Sequence, residues 1–278
     1  MRKIINLAKW GATLGSEPQN FLGAGWVQRV LNRSPESKKR KWALRLLSLS
    51  PHYFINPDDP KYRGMAYDEY LEAVFTDVAE SRQKIYDQIL KPLLKTDDTV
   101  LDYGCGPGFL AAVIAPNVEK LFACDISSGA LACARVLNSA SNLTYLTADD
   151  SGLQHVRDES IDAVVSFAMV QHLSDDVFEI VLHNSFQKLR PGGRLILHIQ
   201  LTDEVWKTED EWRRDTSVKG KLKYRYGLHC FGRTADRHRE MVENAGFGNV
   251  AMCNIGELVP EQFDDVCSQS LLTAKKPA

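Results

Sequence analysis

The sequence predicts an α/β protein whose mostly parallel sheet is covered by helices on both faces. From Thr99 onward, short apolar segments of strand length alternate with longer segments of helical periodicity, and this alternation is typical of parallel sheets with helical crossovers. The segment Ile161–Phe167 is almost entirely apolar, as expected of a strand that is buried on both faces. A chain of 278 residues with 44% hydrophobic side chains has the material for one such domain and an extension.

The part of the chain before the sheet predicts helices. Residues 1–60 are basic and are interrupted by glycine, proline and serine, a texture that favours short helices and loops. Between Asp68 and Leu94, apolar residues recur at helical spacing. Asp68 is a suitable N-cap, so we expect one long helix over this range. Pro92 and the polar residues 95–98 mark its end.

The alternating region predicts seven strands and four helices. The strands are expected at Val100–Tyr103, Lys120–Cys124, Leu143–Thr147, Ile161–Phe167, Arg194–Leu201, Asn249–Ile255 and Ser270–Lys275. The helices are expected at Phe109–Ala115, Ser127–Leu137, Asp175–Leu189 and Thr234–Ala245. Ser127 is a suitable N-cap for the second of these helices. Residues 202–232 are charged and carry five aromatic side chains, which sets them apart as an insertion.

The charge is unevenly distributed along the chain. Residues 1–50 contain ten lysine and arginine residues and two glutamates, although the whole chain has a formal net charge of -2. We therefore interpret residues 1–67 as a basic N-terminal extension and residues 68–278 as the main domain. Such asymmetry indicates either contact between the extension and an anionic surface or a solvated face packed beside an acidic body.

Composition excludes several classes of protein. The longest unbroken apolar run, Phe109–Ala115, is too short to span a bilayer, and no apolar stretch of signal-peptide length follows the basic N-terminus. The six cysteines include no C-x-x-C pair, and no histidine cluster at zinc spacing accompanies them. We therefore expect reduced cysteines, no metal site and a cytoplasmic location.

One glycine-rich loop carries the chemistry. Gly104, Gly106 and Gly108 lie between a predicted strand and a predicted helix. Glycine permits positive φ and a close approach of a ligand to the backbone, and the following helix directs unpaired N–H groups towards that ligand. Asp125, at the end of the next strand, is placed to accept hydrogen bonds from two ribose hydroxyls. These features alone also fit a dinucleotide-binding dehydrogenase.

Two further acids distinguish between the cofactors. Asp102 lies within the first strand, two residues before Gly104, where a carboxylate would repel a pyrophosphate and attract a cationic amino group. Asp149 follows the third strand and can accept a hydrogen bond from an adenine amino group. S-adenosylmethionine has an α-amino group, a ribose and an adenine but no phosphate, so these acids favour it over NAD.

Residues 99–200 resemble the class I S-adenosylmethionine-dependent methyltransferases of the small-molecule type. The motifs of that family are matched in order by Val100–Gly108, Asp125, Asp149, Ile161–Ser166 and Leu189–Leu195. The resemblance implies a Rossmann-like sheet of seven strands whose last strand is antiparallel, and S-adenosylmethionine as the cofactor. It assigns cofactor binding to Asp102, Gly104, Cys105, Gly106, Gly108, Asp125, Ile126, Asp149, Asp150 and Phe167.

In such an enzyme, the residues after the fourth strand, Phe167–Leu173, face the transferred methyl group. The Asn/Asp-Pro-Pro-Tyr/Phe motif of adenine-N6 and related amino methyltransferases is absent there, and the chain has no Pro-Cys pair of the cytosine-C5 type. DNA is therefore not an expected substrate, whereas RNA stays open because of the basic extension. His172 is the candidate catalytic base for a hydroxyl acceptor, and a structural anchor is the alternative interpretation.

Several aromatic and histidine residues near the predicted site have open interpretations. Tyr224, Tyr226 and His229 lie in the insertion, which is either a lid over the substrate or a surface loop packed by its own aromatic residues. His198, within the fifth strand, is interpreted as a core histidine. Two tyrosines before the long helix are placed to close over the cofactor: Tyr62 and Tyr67.

These observations predict an S-adenosylmethionine-dependent methyltransferase that acts on a small-molecule acceptor, with a hydroxyl as the expected acceptor group. One alternative is a nicotinamide-dependent oxidoreductase, which only the glycine loop and Asp125 support. The others are an RNA or protein methyltransferase and a binding module without activity. The sequence predicts neither the identity of the acceptor nor the oligomeric state.

Overall fold

The structure, a computed structural model, describes residues 24–49, 59–201, 207–225, 229–259 and 269–278. The described strands are β1 (Thr99–Tyr103), β2 (Lys120–Asp125), β3 (Leu143–Thr147), β4 (Ile161–Ser166), β5 (Leu189–Ile199), β6 (Gly248–Asn254) and β7 (Ser270–Lys275). They form one seven-stranded sheet with the order β3-β2-β1-β4-β5-β7-β6. The predicted Rossmann-like sheet is confirmed, and each strand except β5 lies close to its predicted range.

Strand direction confirms the expectation for the last strand. Within the described sheet, β1 to β5 pair in parallel, whereas β7 lies antiparallel to both β5 and β6. The register places Asp102 of β1 beside Val165 of β4 and Val165 beside Ile196 of β5. The carboxyl ends of β1, β2, β3, β4 and β5 therefore meet along one border, which we call the carboxyl edge of the sheet. Ligands of open α/β sheets bind at such an edge.

Helices cover both faces of the sheet, as predicted. The described helices are α1 (Ala24–Arg33), α2 (Glu36–Leu47), α3 (Tyr67–Ile85), α4 (Phe109–Ile114), α5 (Ser128–Leu137), α6 (Asp150–Leu153), α7 (Asp175–Lys188), α8 (Glu209–Arg214), α9 (Val218–Arg225), α10 (Ala235–Asn244) and α11 (Ile255–Leu258). Leu110 of α4 and Leu131 of α5 pack on one face of the sheet, and Phe178 of α7 and Met241 of α10 pack on the other. None of these described helices is long and apolar enough to cross a membrane.

The start of the long helix differs from the prediction. Its N-cap is Ala66, so the prediction of Asp68 as the N-cap is wrong. Asp68 lies in the first turn, where its carboxylate accepts hydrogen bonds from Arg45 of α2 at 2.7 and 3.0 Å and pairs with Lys41. A long-range pairing with α2 therefore decides the role of this acid, and the sequence around it carries no sign of that pairing.

Two other boundaries differ from the prediction. The long helix ends in a π turn at Tyr86–Leu90 and does not reach Leu94. β5 begins at Leu189 rather than at Arg194, because Leu189 pairs with Ile161 ahead of an irregularity in the ladder. The Pro-Gly-Gly sequence that predicts a turn lies within the range of this strand.

The described part of the basic extension shares its core with the main domain. Val27 of α1 and Leu47 of α2 are fully buried and pack in one cluster with Phe75 of α3 and Cys133 of α5. The boundary between residues 67 and 68 stays a prediction, since α3 itself contributes to this cluster.

Charges on the extension are paired with acids of α3. Arg40 contacts Glu72 at 2.8 Å, and Lys41 and Arg45 both contact Asp68. Exposed pairs of this kind contribute little stability each, but they offset part of the positive charge of α2. This arrangement fits a solvated face beside an acidic body, and contact with an anionic surface stays a prediction.

Candidate active site

The glycine loop joins β1 to α4 at the carboxyl edge. Gly104, Gly106 and Gly108 have φ values of 84°, 54° and 78°, so all three adopt the left-handed conformation that glycine favours. A Cβ at Gly104 would lie 2.4 Å from Met169 Sδ, and a Cβ at Gly108 would lie 2.2 Å from Tyr145 Oη. Packing within the protein therefore requires glycine at these two positions, independently of any ligand.

Cys105 belongs to this loop through its backbone rather than through its thiol. Its N–H donates to the carbonyl of Cys124 at 2.9 Å, which fixes the loop to the end of β2. The thiol is buried, and burial raises its pKa well above the usual range. The Cys105 thiol is therefore a neutral group that packs inside the protein. A role of Cys105 in cofactor binding would have to come from its backbone, and this role stays a prediction.

Asp125 holds the glycine loop and the start of α5 together. One carboxylate oxygen accepts the Gly106 N–H at 2.8 Å, and the other accepts the Ser127 N–H at 2.7 Å. Burial raises the pKa of Asp125 above its usual value, although these two backbone donors partly oppose the change. Each oxygen retains a further lone pair for a hydroxyl donor. The side chain thus has the geometry to order the loop and to accept two ribose hydroxyls.

Asp102 is the most unusual group of the site. Its side chain is 2% exposed, and its Oδ2 atom has no hydrogen-bond partner among the described residues. Burial, together with the charge of Asp125, raises the pKa of Asp102 to about 7. A buried carboxylate without a partner is costly. This position therefore fits a cationic group that approaches between the glycine loop and β4.

The acids after β3 lie next to the end of β2. The Ala148 N–H donates to the carbonyl of Asp125 at 3.0 Å. Asp149, the next residue, therefore lies close to Asp125 at the carboxyl edge. Asp149 Oδ1 accepts from Thr147, Ser151 and Gly152, and these hydrogen bonds lower the pKa of Asp149.

Two neighbours of these acids, Asp150 and Ile126, also belong to the predicted cofactor-binding residues. Asp150 starts α6, and its side chain lies outside the described residues. Ile126, directly after Asp125, is 54% exposed and offers apolar surface where the flat face of an adenine can pack.

The loop after β4 lies over the glycine loop. Phe167 is buried and stacks on His198 of β5, with ring centroids 4.4 Å apart. Ala168 has a φ of 58°, which is uncommon for a residue with a Cβ. The prediction that His198 is a core histidine agrees with its 1% exposure.

His172 is anchored on the last residues of the insertion. Its Nδ1 atom lies 2.8 Å from the carbonyl oxygen of His229. A carbonyl only accepts, so Nδ1 carries the proton and the lone pair of the neutral ring is on Nε2. Burial lowers the pKa of His172, which keeps the ring neutral and able to accept a proton. The contact at Nδ1 fits the interpretation of His172 as a structural anchor, and a role as a base at Nε2 stays a prediction.

The end of the insertion is docked on the turn that carries His172. Phe231 N–H donates to the carbonyl of Gln171 at 2.7 Å. Arg233, 4% exposed, contacts Asp175 at 2.6 Å and also donates to the carbonyl of Leu173. The sequence gives no signal of this buried pairing, because Arg233 directly follows a charged segment.

The tyrosines and the histidine that were considered as a cover of the site differ in their contacts. His229 is buried and packs edge-on against Phe231 and Trp212, as in a loop packed by its own aromatic residues. Tyr226 and the side chain of Tyr224 lie outside the described residues. Tyr62 donates to Asp77 of α3, and the Tyr67 hydroxyl lies 2.8 Å from Ser48 Oγ. A role of these tyrosines over a cofactor stays a prediction.

Further buried polar groups lie at the carboxyl edge. Ser166 Oγ, Gln171 Oε1 and Gln200 Oε1 are buried and have no hydrogen-bond partner among the described residues. Ser166 is the last residue of β4, Gln171 lies in the turn after β4, and Gln200 directly follows β5. In the sheet order, β4 is next to the strand of Asp102 and β5 is next to β4. The available sequence signal is that Ser166 and Gln200 are polar residues at the ends of apolar segments. Within the described residues, no group of three or more His, Cys, Asp or Glu side chains is arranged to hold a metal ion.

Comparison with known proteins identifies the central segment. Residues 101–197 match the family model described as "Methyltransferase domain". The chain is similar to the N-demethylindolmycin N-methyltransferase of Streptomyces griseus, with 32% identity over 98 residues, which is 34% of this chain and 41% of that protein. It is also similar to the ubiquinone biosynthesis O-methyltransferase of Hydrogenovibrio crunogenus, with 28% identity over 99 residues, which is 34% of this chain and 39% of that protein.

A solved structure extends the likeness of fold beyond this segment. It is the methyltransferase of Haloferax volcanii in complex with the Trm112 methyltransferase activator, with a TM-score of 0.51 and 19% identity. The match covers 73% of this chain and 97% of that one. The chain thus spans less than half of the length of the two curated relatives, whereas the solved structure shares its fold.

Proposed function

Since residues 101–197 match the model of the methyltransferase domain and the seven-stranded sheet has the order expected of the class I fold, we propose that this chain is an S-adenosylmethionine-dependent methyltransferase with a small polar acceptor. One observation carries the proposal. The Asp102 side chain is buried beside the glycine loop, and its Oδ2 atom has no hydrogen-bond partner among the described residues; the α-amino group of S-adenosylmethionine would supply a cationic donor at this position.

The other predicted residues fit the remaining parts of this cofactor. Asp125 accepts the ribose hydroxyls, and Asp149 accepts the adenine amino group. Ile126 offers apolar surface to the adenine, and Phe167 lies beside the region of the methyl group. When bound, the cofactor supplies an electrophilic methyl group on its sulfonium. The residues of the chain bind it, align the acceptor and exclude water.

A nicotinamide dinucleotide fits this site poorly. Its pyrophosphate would lie against the glycine loop, next to the carboxylates of Asp102 and Asp125. Asp102 is buried and Asp125 is half-buried, so solvent would screen the repulsion less than it does at an exposed surface. The alternative of a nicotinamide-dependent oxidoreductase is therefore not favoured.

The raised pKa of Asp102 predicts a pH-dependent affinity for the cofactor. In the free protein, this carboxyl group is half protonated near pH 7, and only its ionised form attracts an ammonium group. Affinity for S-adenosylmethionine should therefore rise from pH 5 towards pH 7, by up to about tenfold per pH unit. Calorimetric titrations at several pH values measure this slope.

Asp102→Asn is the matched variant for this measurement. The amide has the same shape but no charge, so its affinity should be low and nearly independent of pH. A wild-type affinity that does not change between pH 5 and pH 7, or an Asp102→Asn variant that keeps the slope, would assign the pH dependence to another group.

Two observations at the carboxyl edge support a polar acceptor, and the second of them favours a hydroxyl group. Ser166 Oγ, Gln171 Oε1 and Gln200 Oε1 are buried and have no hydrogen-bond partner within the described part of the chain, which favours a ligand that forms hydrogen bonds. We assign His172 Nε2 as the group that would accept the proton when the acceptor oxygen bonds to the methyl carbon and the carbon–sulfur bond breaks towards sulfur. The two relatives are named as an N- and an O-methyltransferase, so the acceptor atom rests on the histidine alone.

A methyl-label transfer assay tests the proposed function. Purified protein is incubated with methyl-labelled S-adenosylmethionine and fractionated small metabolites of the source organism. We expect label in one fraction and an equal amount of S-adenosylhomocysteine, and neither with Asp102→Asn at neutral pH. Binding of S-adenosylmethionine without turnover in any metabolite, RNA or protein fraction would instead indicate a binding module.

A further inference from the structure

The loop after β4 has a backbone conformation that its sequence does not favour. Ala168 adopts a φ of 58°, where the Cβ of an L-residue approaches the following carbonyl oxygen. Glycine or asparagine is the usual residue in this region, and nothing in the sequence around Ala168 compensates locally. Residues held in this way are often found at functional sites, where the surrounding structure imposes the conformation.

His198 supplies the compensating interaction from the neighbouring strand. Its Nδ1 atom accepts the Ala168 N–H at 3.1 Å, and its ring stacks on Phe167 with a centroid distance of 4.4 Å and an interplanar angle of 14°. Nδ1 accepts only when it is unprotonated, so the proton of the neutral ring is on Nε2. Burial, helped by the charge of Arg82, lowers the pKa of His198 to about 3, and the acceptor is therefore retained at neutral pH.

Met169, the residue after Ala168, contacts the glycine loop. The Met169 side chain lies so close over Gly104 that a Cβ there would be 2.4 Å from Sδ. The Met169 carbonyl also accepts the His172 N–H at 2.8 Å. The position of Met169 is thus coupled both to the cofactor loop and to the candidate base, and Ala168 sets the direction in which the chain enters it.

We infer that His198 is a positioning residue, which holds Phe167–Met169 in the conformation that aligns the glycine loop with the acceptor side of the site. The inference rests on the proposed function and adds a role for a residue that touches neither reacting group. Misplacement by about 1 Å at such a point costs on the order of 10²-fold in rate. Loss of the Nδ1 acceptor should therefore reduce kcat strongly, while affinity for S-adenosylmethionine at Asp102 and Asp125 changes less.

Three variants separate this role from simple packing. His198→Phe keeps a ring that stacks on Phe167 but removes the acceptor. His198→Asn loses the stack but places an amide oxygen near the position of Nδ1. Ala168→Gly in the His198→Phe background removes the Cβ that makes the conformation unfavourable. We expect His198→Phe to lower kcat about 10²-fold, and both His198→Asn and the double variant to recover a large part of it.

Hydrogen exchange gives a second readout that does not depend on activity. The Ala168 amide should be protected in the wild type, exchange faster in His198→Phe and be protected again in His198→Asn. Unchanged exchange at Ala168 in a folded His198→Phe variant would overturn the inference, whether or not the wild type transfers methyl groups. Equal losses of kcat and melting temperature in His198→Phe and His198→Asn would also overturn it, since packing alone would explain them. A wild type without turnover refutes the proposed function separately.

Discussion

His172→Ala should lower turnover about 10²–10⁴-fold and leave the affinity for S-adenosylmethionine nearly unchanged. The Nδ1–H of His172 is directed to the His229 carbonyl at 2.8 Å, so Nε2 is the nitrogen with the lone pair. Removal of this base leaves a hydroxyl acceptor with its proton during bond formation, whereas Asp102 and Asp125 still hold the cofactor. Single-turnover rates and calorimetric affinities measure the two effects separately.

His172→Asn distinguishes a base from an anchor. The asparagine amide can donate to the His229 carbonyl in place of Nδ1, but it has no basic nitrogen. If His172 acts as the base, both variants lose turnover to a similar extent. Full turnover in His172→Asn with a loss only in His172→Ala would show that the hydrogen bond to the insertion is what matters, and the methyl acceptor would then need no base.

The pH dependence of turnover follows from the same assignment. Burial lowers the pKa of His172 below its usual value of 6.5, and only the neutral ring accepts a proton. At saturating cofactor, turnover should therefore rise with pH through an inflection below pH 6.5 and stay level above it. The inflection should disappear in His172→Asn, and its persistence in that variant would point to a different base.

Asp125→Ala should weaken binding of S-adenosylmethionine by about 30- to 1000-fold, equivalent to about 2–4 kcal/mol. The substitution removes a charged acceptor for two ribose hydroxyls. It also releases the Gly106 and Ser127 N–H groups, which the carboxylate holds at 2.8 and 2.7 Å. Calorimetry or equilibrium dialysis with the labelled cofactor measures the change.

Asp158→Ala is the control for loss of a negative charge. Asp158 is exposed and pairs with Lys188, and it precedes β4 at the opposite edge of the sheet. Its removal should leave cofactor affinity unchanged. An Asp125→Ala variant that binds as tightly as Asp158→Ala would show that the ribose hydroxyls are bound elsewhere.

The sheet and the positions of the acids at its carboxyl edge could be predicted because local patterns determine them. Apolar runs of strand length predicted β1 to β7, and the three alternating glycines predicted a loop with positive φ. Asp125 and Asp149 were placed at strand ends by their position after apolar segments. In each case, the residues that decide the structure are neighbours in the sequence.

The features that could not be predicted depend on distant residues. Asp68 pairs with Arg45 of α2 rather than capping α3, and Arg233 is buried against Asp175. Ala168 has a positive φ, and its N–H donates to His198, thirty residues later. A single sequence contains no local sign of such pairings, so the docking of the insertion and the strained loop appear only in the structure.

Competitive calorimetry of S-adenosylmethionine against NAD tests the central claim most directly. The claim is that the buried Asp102 and the half-buried Asp125 select a cofactor with an ammonium group and without phosphate. The account predicts saturable binding of S-adenosylmethionine at pH 7.5, weakened in both Asp102→Asn and Asp125→Ala, and no heat signal with NAD. Tight binding of NAD with no signal for S-adenosylmethionine would contradict it.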